Sequence, residues 1–158
     1  MKLPRIGLGY DIHHFAVGRR LVLGGVEIPH TQGLDGHSDA DVVLHAVMDA
    51  LLGAVGLEDI GHHFPNTDPQ WKDVSSLELL KVVGERLTGF QIGNIDVSVI
   101  AEEPRIGPYI PEMRACIANT LRIAQGEIGI KATTNEGLGA LGRGEGIAAI
   151  AVALLVTK

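Results

Sequence analysis

The sequence predicts an α+β fold in which one mixed β-sheet is covered by helices on one face. Three observations carry that prediction. Segments with period-two alternation open, divide and close the chain. Segments with helical spacing, ended by glycines, lie between them. The 158 residues are 46% hydrophobic, which suits one domain over 1–158 with a real core.

The elements follow in order. "RIGLGYDIH" (5–13) alternates, with Ile6, Leu8, Tyr10 and Ile12 on one face and Gly7, Gly9, Asp11 and His13 on the other. "RLVLGGVEIPH" (20–30) predicts two short strands about Gly24-Gly25, and 31–40 is turn-rich. "SDADVVLHAVMDALLGAVG" (38–56) is the strongest helix, capped by Ser38 or Asp39 and ended by Gly56. Residues 57–76 are loop-like, and 75–89 carries Leu77, Leu80, Val83 and Leu87 at helical spacing. A strand over 94–104, a helix over 107–126 and a strand over 127–137 running into a loop come next. "GIAAIAVALLVT" (146–157) has the composition of a central strand buried on both faces. Helices on one face leave the other sheet face needing a partner, for which an oligomer is the natural solution.

Composition narrows the function. Net charge is −6, from 13 basic and 19 acidic residues, aromatics are 4%, and no basic cluster occurs, so nucleic-acid binding is not expected. The longest apolar run, 147–156, is too short to span a membrane. The start "MKLPRIGLG" lacks signal or transit character, so a cytoplasmic, bacterial protein is expected. The one cysteine, Cys116, excludes an internal disulfide and a Cys-based zinc cage.

Chemistry concentrates in a few motifs. Asp41, His45 and Asp49 recur every fourth residue on a helix with no Lys, Arg or Glu. A stripe of short acids around an imidazole suits a lined cavity; a solvated stripe with a core histidine is the alternative. Asp11 and His13 share a strand face, and with His45 they make a His₂Asp set suited to Zn²⁺ with one open position. His14 points the other way. His37 and Ser38 precede the helix body, where an imidazole, a hydroxyl and a helix N-terminus suit phosphate oxygens, although plain capping by Ser38 would also fit. His62 and His63 lie in an irregular loop and are set aside as metal ligands, whereas Asp59, Asp68 and backbone amides there suit hydroxyl recognition. In "KATTNEG" (131–137) Glu136 could hold a hard cation such as Mg²⁺, and Arg143 is a candidate anion ligand.

"GYDIHHF", "GGVEIPH", "GLDGHSDADVVLHAVMDALLGAVGLEDIGHHFPNTD", "VSVIAEEPRIGPYIPEMR", "KATTNEGLG" and "GRGEGIAA" occur in that order. Together they resemble the 2-C-methyl-D-erythritol 2,4-cyclodiphosphate synthase family over nearly the whole chain. The resemblance implies a ferredoxin-like sheet and a homotrimer, with sheets facing the three-fold axis and active sites between subunits. It implies conversion of 4-diphosphocytidyl-2-C-methyl-D-erythritol 2-phosphate to the cyclic diphosphate and CMP, in non-mevalonate isoprenoid precursor synthesis. A zinc-dependent phosphoesterase is the alternative, and a non-catalytic metal- or ligand-binding trimer a third possibility.

The same resemblance implies roles residue by residue. Zn²⁺ would sit at Asp11, His13 and His45, and Mg²⁺ or Mn²⁺ would bridge the substrate diphosphate with Glu136 as ligand. His37 and Thr134 match positions that polarise phosphate in the transition state. Ser38 matches a substrate contact, Asp59, Ile60 and Gly61 match the erythritol loop, and Phe64 to Asp68 its continuation. Ala101, Pro104, Arg105, Ile106 and Thr133 match the cytidine and phosphate pocket, with Arg143 near the axial cavity. Ala140 and Ile150 differ from members that carry Phe and Glu at that cavity.

Overall fold

The computed structural model describes residues 3–158. Strand β1 (Pro4–Val17) leads into a hairpin of β2 (Leu21–Leu23) and β3 (Val26–Ile28), then β4 (Gln32–Leu34). Helix α1 (Val42–Ala54), a single turn α2 (Ile60–His63) and helix α3 (Ser76–Arg86) follow. The chain continues through β5 (Phe90–Ile100), α4 (Ile110–Leu121), β6 (Ile128–Thr133), the turn α5 (Gly139–Gly142) and β7 (Gly146–Thr157).

The main sheet has five strands in the order β4-β1-β7-β5-β6. All neighbours are antiparallel except β5 and β6. That pair is parallel because α4 carries the chain back across the sheet between them. The expected α+β class, a mixed sheet under helices, is what the structure has. The ferredoxin-like label needs correction. That topology runs βαββαβ, whereas here the strands of the sheet core, β1, β5, β6 and β7, run βαβαββ, and β7 enters between β1 and β5.

Helix α1 lies against β1 and β7, with α3 beside it and α4 against β6. The inward residues of α1 (Val43, Leu44, Val47, Met48, Leu51) are fully buried. The approach of β1 to this helix depends on two glycines. A Cβ on Gly7 or Gly9 would lie 1.8 Å from the carbonyl oxygen of Ala50 or Ala46. Both glycines sit on the Asp11 and His13 face, so the close contact runs directly beneath the candidate site.

The other sheet face is open. Ile6, Leu8, Tyr10 and Ile12 of β1 are between 46% and 69% exposed, beside Ile150 and Val152 of β7. Register pairs Leu8 with Val152 and Tyr10 with Ile150, so these side chains form one continuous apolar strip. In the single chain β7 is therefore buried on one face, not both as its composition suggested. Its apolar run came from a strand whose outer side chains are also apolar.

Other boundaries moved for local reasons. Helix 38–56 begins only at Val42, because Ser38 and Ala40 take left-handed backbone angles (φ 57 and 53) and Asp41 is the N-cap. The strand expected over 94–104 starts at Phe90, with an irregularity at Gly93, and ends at Ile100. The helix expected over 107–126 divides into a 3₁₀ turn, Gly107–Tyr109, and α4, and ends where Arg122 turns left-handed. The loop 57–76 contains α2, capped by Asp59, and a 3₁₀ turn capped by Asp68.

Candidate metal centre and substrate cleft

Strand parity brings Asp11 and His13 to the helix-facing side of β1, and α1 delivers His45 to the same point. His13 Nε2 lies 2.9 Å and His45 Nδ1 3.0 Å from one oxygen, Asp11 Oδ2. Asp11, His13 and His45 are the one candidate metal-binding group among the described residues, their donor atoms all within 4.8 Å. His45 is buried and the other two are half-buried.

The far sides of both rings set their chemistry. His13 Nδ1 lies 2.7 Å from the carbonyl oxygen of Asp35. A carbonyl only accepts, so Nδ1 is the donor and Nε2 carries a lone pair in the neutral ring. His45 Nε2 lies 3.1 Å from Ser76 Oγ, whose own proton goes to Asp39 Oδ1. His45 Nδ1 then also carries a lone pair. Two imidazole lone pairs and a carboxylate oxygen thus converge, and only a cation between them is compatible: protons on the rings or a metal ion. The donor set fits Zn²⁺.

Burial would push the Asp11 carboxyl up, but its contacts with the His13 and His45 rings outweigh burial and hold it at about 2. The hydrogen bond to Asp11 raises His13 above its usual value, against the opposing effect of burial.

The other members of the helix stripe have different roles. Asp41 is fully buried and does not line a cavity. Its carboxylate accepts from Gly24 N (2.9 Å), Gly25 N (2.8 Å) and Leu44 N (3.0 Å), so it pins the β2–β3 hairpin to the start of α1. Burial, reinforced by the charge of Asp39, pushes it up to about 6 against those three bonds. Asp49 accepts from Ile60 N at 2.9 Å and so ties the Asp59 loop to α1. Burial raises its pKa, with the charges of Asp59 and Asp11 adding.

His37 is exposed in the loop before α1, and Ser38 is half-buried beside it. Neither caps the helix. Arg19, to which no sequence motif pointed, holds this loop by donating to the carbonyls of Gly36 (3.0 Å) and Ser38 (2.8 Å). His62 pairs with Glu58 at 2.9 Å, and His63 Nδ1 accepts from Arg86, so both turn to partners outside the metal group. His14 is exposed, with Asp35 at 3.5 Å. Phe64 is buried against Trp71 at 4.8 Å, while Asp59, Gly61 and half-buried Ile60 and Asp68 line the outer side of that loop.

The remaining predicted residues gather elsewhere. A cleft of about 710 Å³ is lined by Ala101, Pro104, Arg105, Ile106, Thr133 and Thr134, together with His30 and Glu102. None of Asp11, His13 and His45 lines it. Glu102 accepts from Asn135 N at 2.8 Å and Gly137 N at 3.4 Å, which fixes the turn carrying Thr134 and Glu136. Glu136 is exposed at that turn, with φ 52, and Arg143 pairs with Glu145 at 2.7 Å. Within one chain the predicted site thus divides into a metal group and a cleft.

Fold and site define an α+β protein with a candidate divalent-metal centre and a separate cleft of mixed polar and apolar lining. The chain belongs to the YgbB family, whose model matches residues 4–156. It is 59% identical over 154 residues, 96% of each chain, to the 2-C-methyl-D-erythritol 2,4-cyclodiphosphate synthase of Synechococcus elongatus. It is 58% identical to the same enzyme of Nostoc, covering 98% of this chain and 94% of that one. Among solved structures it superposes on the bifunctional IspDF of Campylobacter jejuni, with TM-score 0.95 and 41% identity, over all of this chain and 43% of that one. A CDP complex of the Plasmodium falciparum IspF gives TM-score 0.86 and 35% identity over 98% of this chain and 97% of that one.

Proposed function

We infer that the protein converts 4-diphosphocytidyl-2-C-methyl-D-erythritol 2-phosphate into 2-C-methyl-D-erythritol 2,4-cyclodiphosphate and CMP. The observation that carries this is the convergence of Asp11, His13 and His45 donors on one point, in a chain so similar to known synthases. An oxygen of the 2-phosphate attacks the β-phosphorus. The bond from that phosphorus to the oxygen of the α-phosphate breaks, and CMP leaves with the electron pair. The nucleophile is already anionic, so no strong base is needed. The barrier lies in bringing two anions together in a ring-closing geometry, and positioning and charge neutralisation dominate.

A divalent ion such as Zn²⁺ held by Asp11, His13 and His45 would supply positive charge to the diphosphate oxygens. Glu136 would hold Mg²⁺ or Mn²⁺, which would supply further positive charge to the diphosphate. The chain's own residues do the rest. His37 donates to the phosphate that gains charge, and the Thr134 hydroxyl does the same from the cleft. Ser38 contacts the substrate beside His37. Asp59, Ile60 and Gly61 receive the erythritol hydroxyls, with Phe64 and Asp68 shaping the loop behind them. Ala101 to Ile106 and Thr133 enclose the cytidine end. Arg143 offers a further positive charge.

Metal group and cleft lie apart in one chain, which an assembly resolves. The open apolar strip of β1 and β7 faces a three-fold axis in a homotrimer, and sites form where the cleft of one subunit meets the metal group of the next. Incubation with the cytidyl diphosphate substrate and Mg²⁺, followed by ³¹P NMR, tests the reaction. The expected products are CMP and a cyclic diphosphate. Open-chain phosphates would instead indicate a zinc phosphoesterase, and metal binding without turnover a binding protein.

A further inference from the structure

Ser76 is a fully buried polar side chain at the first turn of α3, where Ser75 already serves as the N-cap. Helix capping therefore does not account for its hydroxyl. The Ser76 Oγ proton goes to Asp39 Oδ1, and Ser76 N donates to Asp39 Oδ2 at 3.1 Å. On its other side Oγ meets His45 Nε2 at 3.1 Å. Asp39 in the loop, Ser76 on α3 and His45 on α1 form one chain of hydrogen bonds that ends at the candidate metal group.

We propose that Asp39 and Ser76 are positioning residues that select the tautomer of His45, keeping its proton on Nε2 and its lone pair on Nδ1. Direction matters here because Asp11 pulls the other way. Its carboxylate, 3.0 Å from Nδ1, favours a proton on that nitrogen. A neutral ring protonated there carries its lone pair on Nε2, turned toward Ser76 and away from Asp11. Asp39 can only accept, so it orients the Ser76 hydroxyl as a donor toward itself. The serine oxygen is then left as an acceptor for Nε2–H. His13 receives the equivalent orientation from a backbone carbonyl, that of Asp35, whereas His45 depends on two side chains from other segments. Ser76 also marks where the 57–75 segment returns to the helix layer, so the relay fixes that return against the site.

The inference rests on reading Asp11, His13 and His45 as the metal site, and the test separates the two. Zinc affinity is measured on the full-length chain by competition with a chromophoric chelator, and the His45 tautomer of the metal-free protein by ¹⁵N NMR. Wild type is expected to bind zinc and to show Nε2–H. His45→Ala is expected to lose zinc. Ser76→Ala is expected to weaken zinc by about 10- to 100-fold, the range for outer partners of metal ligands, with His45 drifting toward Nδ1–H. Asp39→Asn keeps Ser76 and nearly the same shape, but its amide can donate and so release the serine proton toward His45. It is expected to shift the tautomer in the same sense, with a smaller loss of affinity of about 10-fold. Ser76→Ala and Asp39→Asn proteins that are folded, with parental tautomer and zinc affinity, would overturn the relay and leave the metal site standing. If Ser76→Ala does not fold, Asp39→Asn alone decides. Wild type that binds no zinc would overturn both.

Discussion

Replacing Gly9 by alanine is expected to dismantle the metal group from beneath without touching a ligand. The new Cβ would lie 1.8 Å from the carbonyl oxygen of Ala46, 2.8 Å from its carbonyl carbon and 2.9 Å from Ala50 N. These are backbone atoms in the middle of α1 and have no rotamer to move. Reaching ordinary contact requires strand and helix to separate by about 1.7 Å, since non-bonded contacts settle at about 3.5 Å. His45 precedes Ala46 on that helix and moves with it, while Asp11 stays on the strand. Metal sites tolerate only about 0.2 Å in ligand distance, so zinc affinity should collapse. Overpacking costs about 1–3 kcal/mol, and contact with rigid backbone places this case at the upper end. At about 2–4 °C per kcal/mol for a chain of this size, Tm of the metal-free protein should fall on the order of 6–12 °C. Circular dichroism melting and zinc competition read the two effects. Gly126→Ala, with nothing within 4 Å of the added carbon, is the control and should change neither. A Gly9→Ala protein with parental Tm and zinc affinity would refute the claim that this close approach sets the site.

Three further outcomes are expected. Asp41 is raised from 3.8 to about 6 in the folded chain. Its contribution to stability is therefore full below the unfolded pKa and lost as pH rises through about 6. Urea unfolding of metal-free protein should show this loss from about pH 4 upward, and Asp41→Asn, which cannot ionise, should flatten it; parallel pH profiles would contradict the assignment. Glu102→Ala removes the acceptor for Asn135 N and Gly137 N, frees the turn bearing Thr134 and Glu136 and should lower kcat/KM by about tenfold, about 1.4 kcal/mol of lost positioning. Glu102→Gln keeps an accepting oxygen and should stay near wild type; equal activity of Ala and Gln variants would dismiss the anchor. Leu8→Glu places a charge in the open apolar strip and should give monomers by light scattering, with zinc still bound by each chain, whereas an unchanged oligomer would remove the strip from the interface.

What the sequence disclosed and what it hid follow one physical line. Alternation is local, so the sorting of β1 into an outward Ile6-Leu8-Tyr10-Ile12 face and an inward Asp11-His13 face is legible in the order of residues alone. The glycines at 7 and 9 on that inward face carry a further signal, that a helix comes close. Four-residue spacing is equally legible on α1, but spacing does not say what packs against a stripe. Asp41 shares the stripe of His45, yet it meets the β2–β3 hairpin and became a buried cap, while His45 meets β1. The apolar run of β7 misleads for the complementary reason: composition counts apolar residues on both faces and cannot tell a face covered within the chain from one left open. The Asp39–Ser76–His45 contacts have no local signature, because Ser76 stands 37 residues from Asp39 and 31 from His45. One clue does lie in the chain. "VSSLE" offers two serines where a helix needs one cap, and the second, placed at the first helical position with its face turned inward, needs a partner. Ligands are thus readable from strand and helix periodicity, whereas the groups that orient them depend on which elements the tertiary fold brings to their far sides.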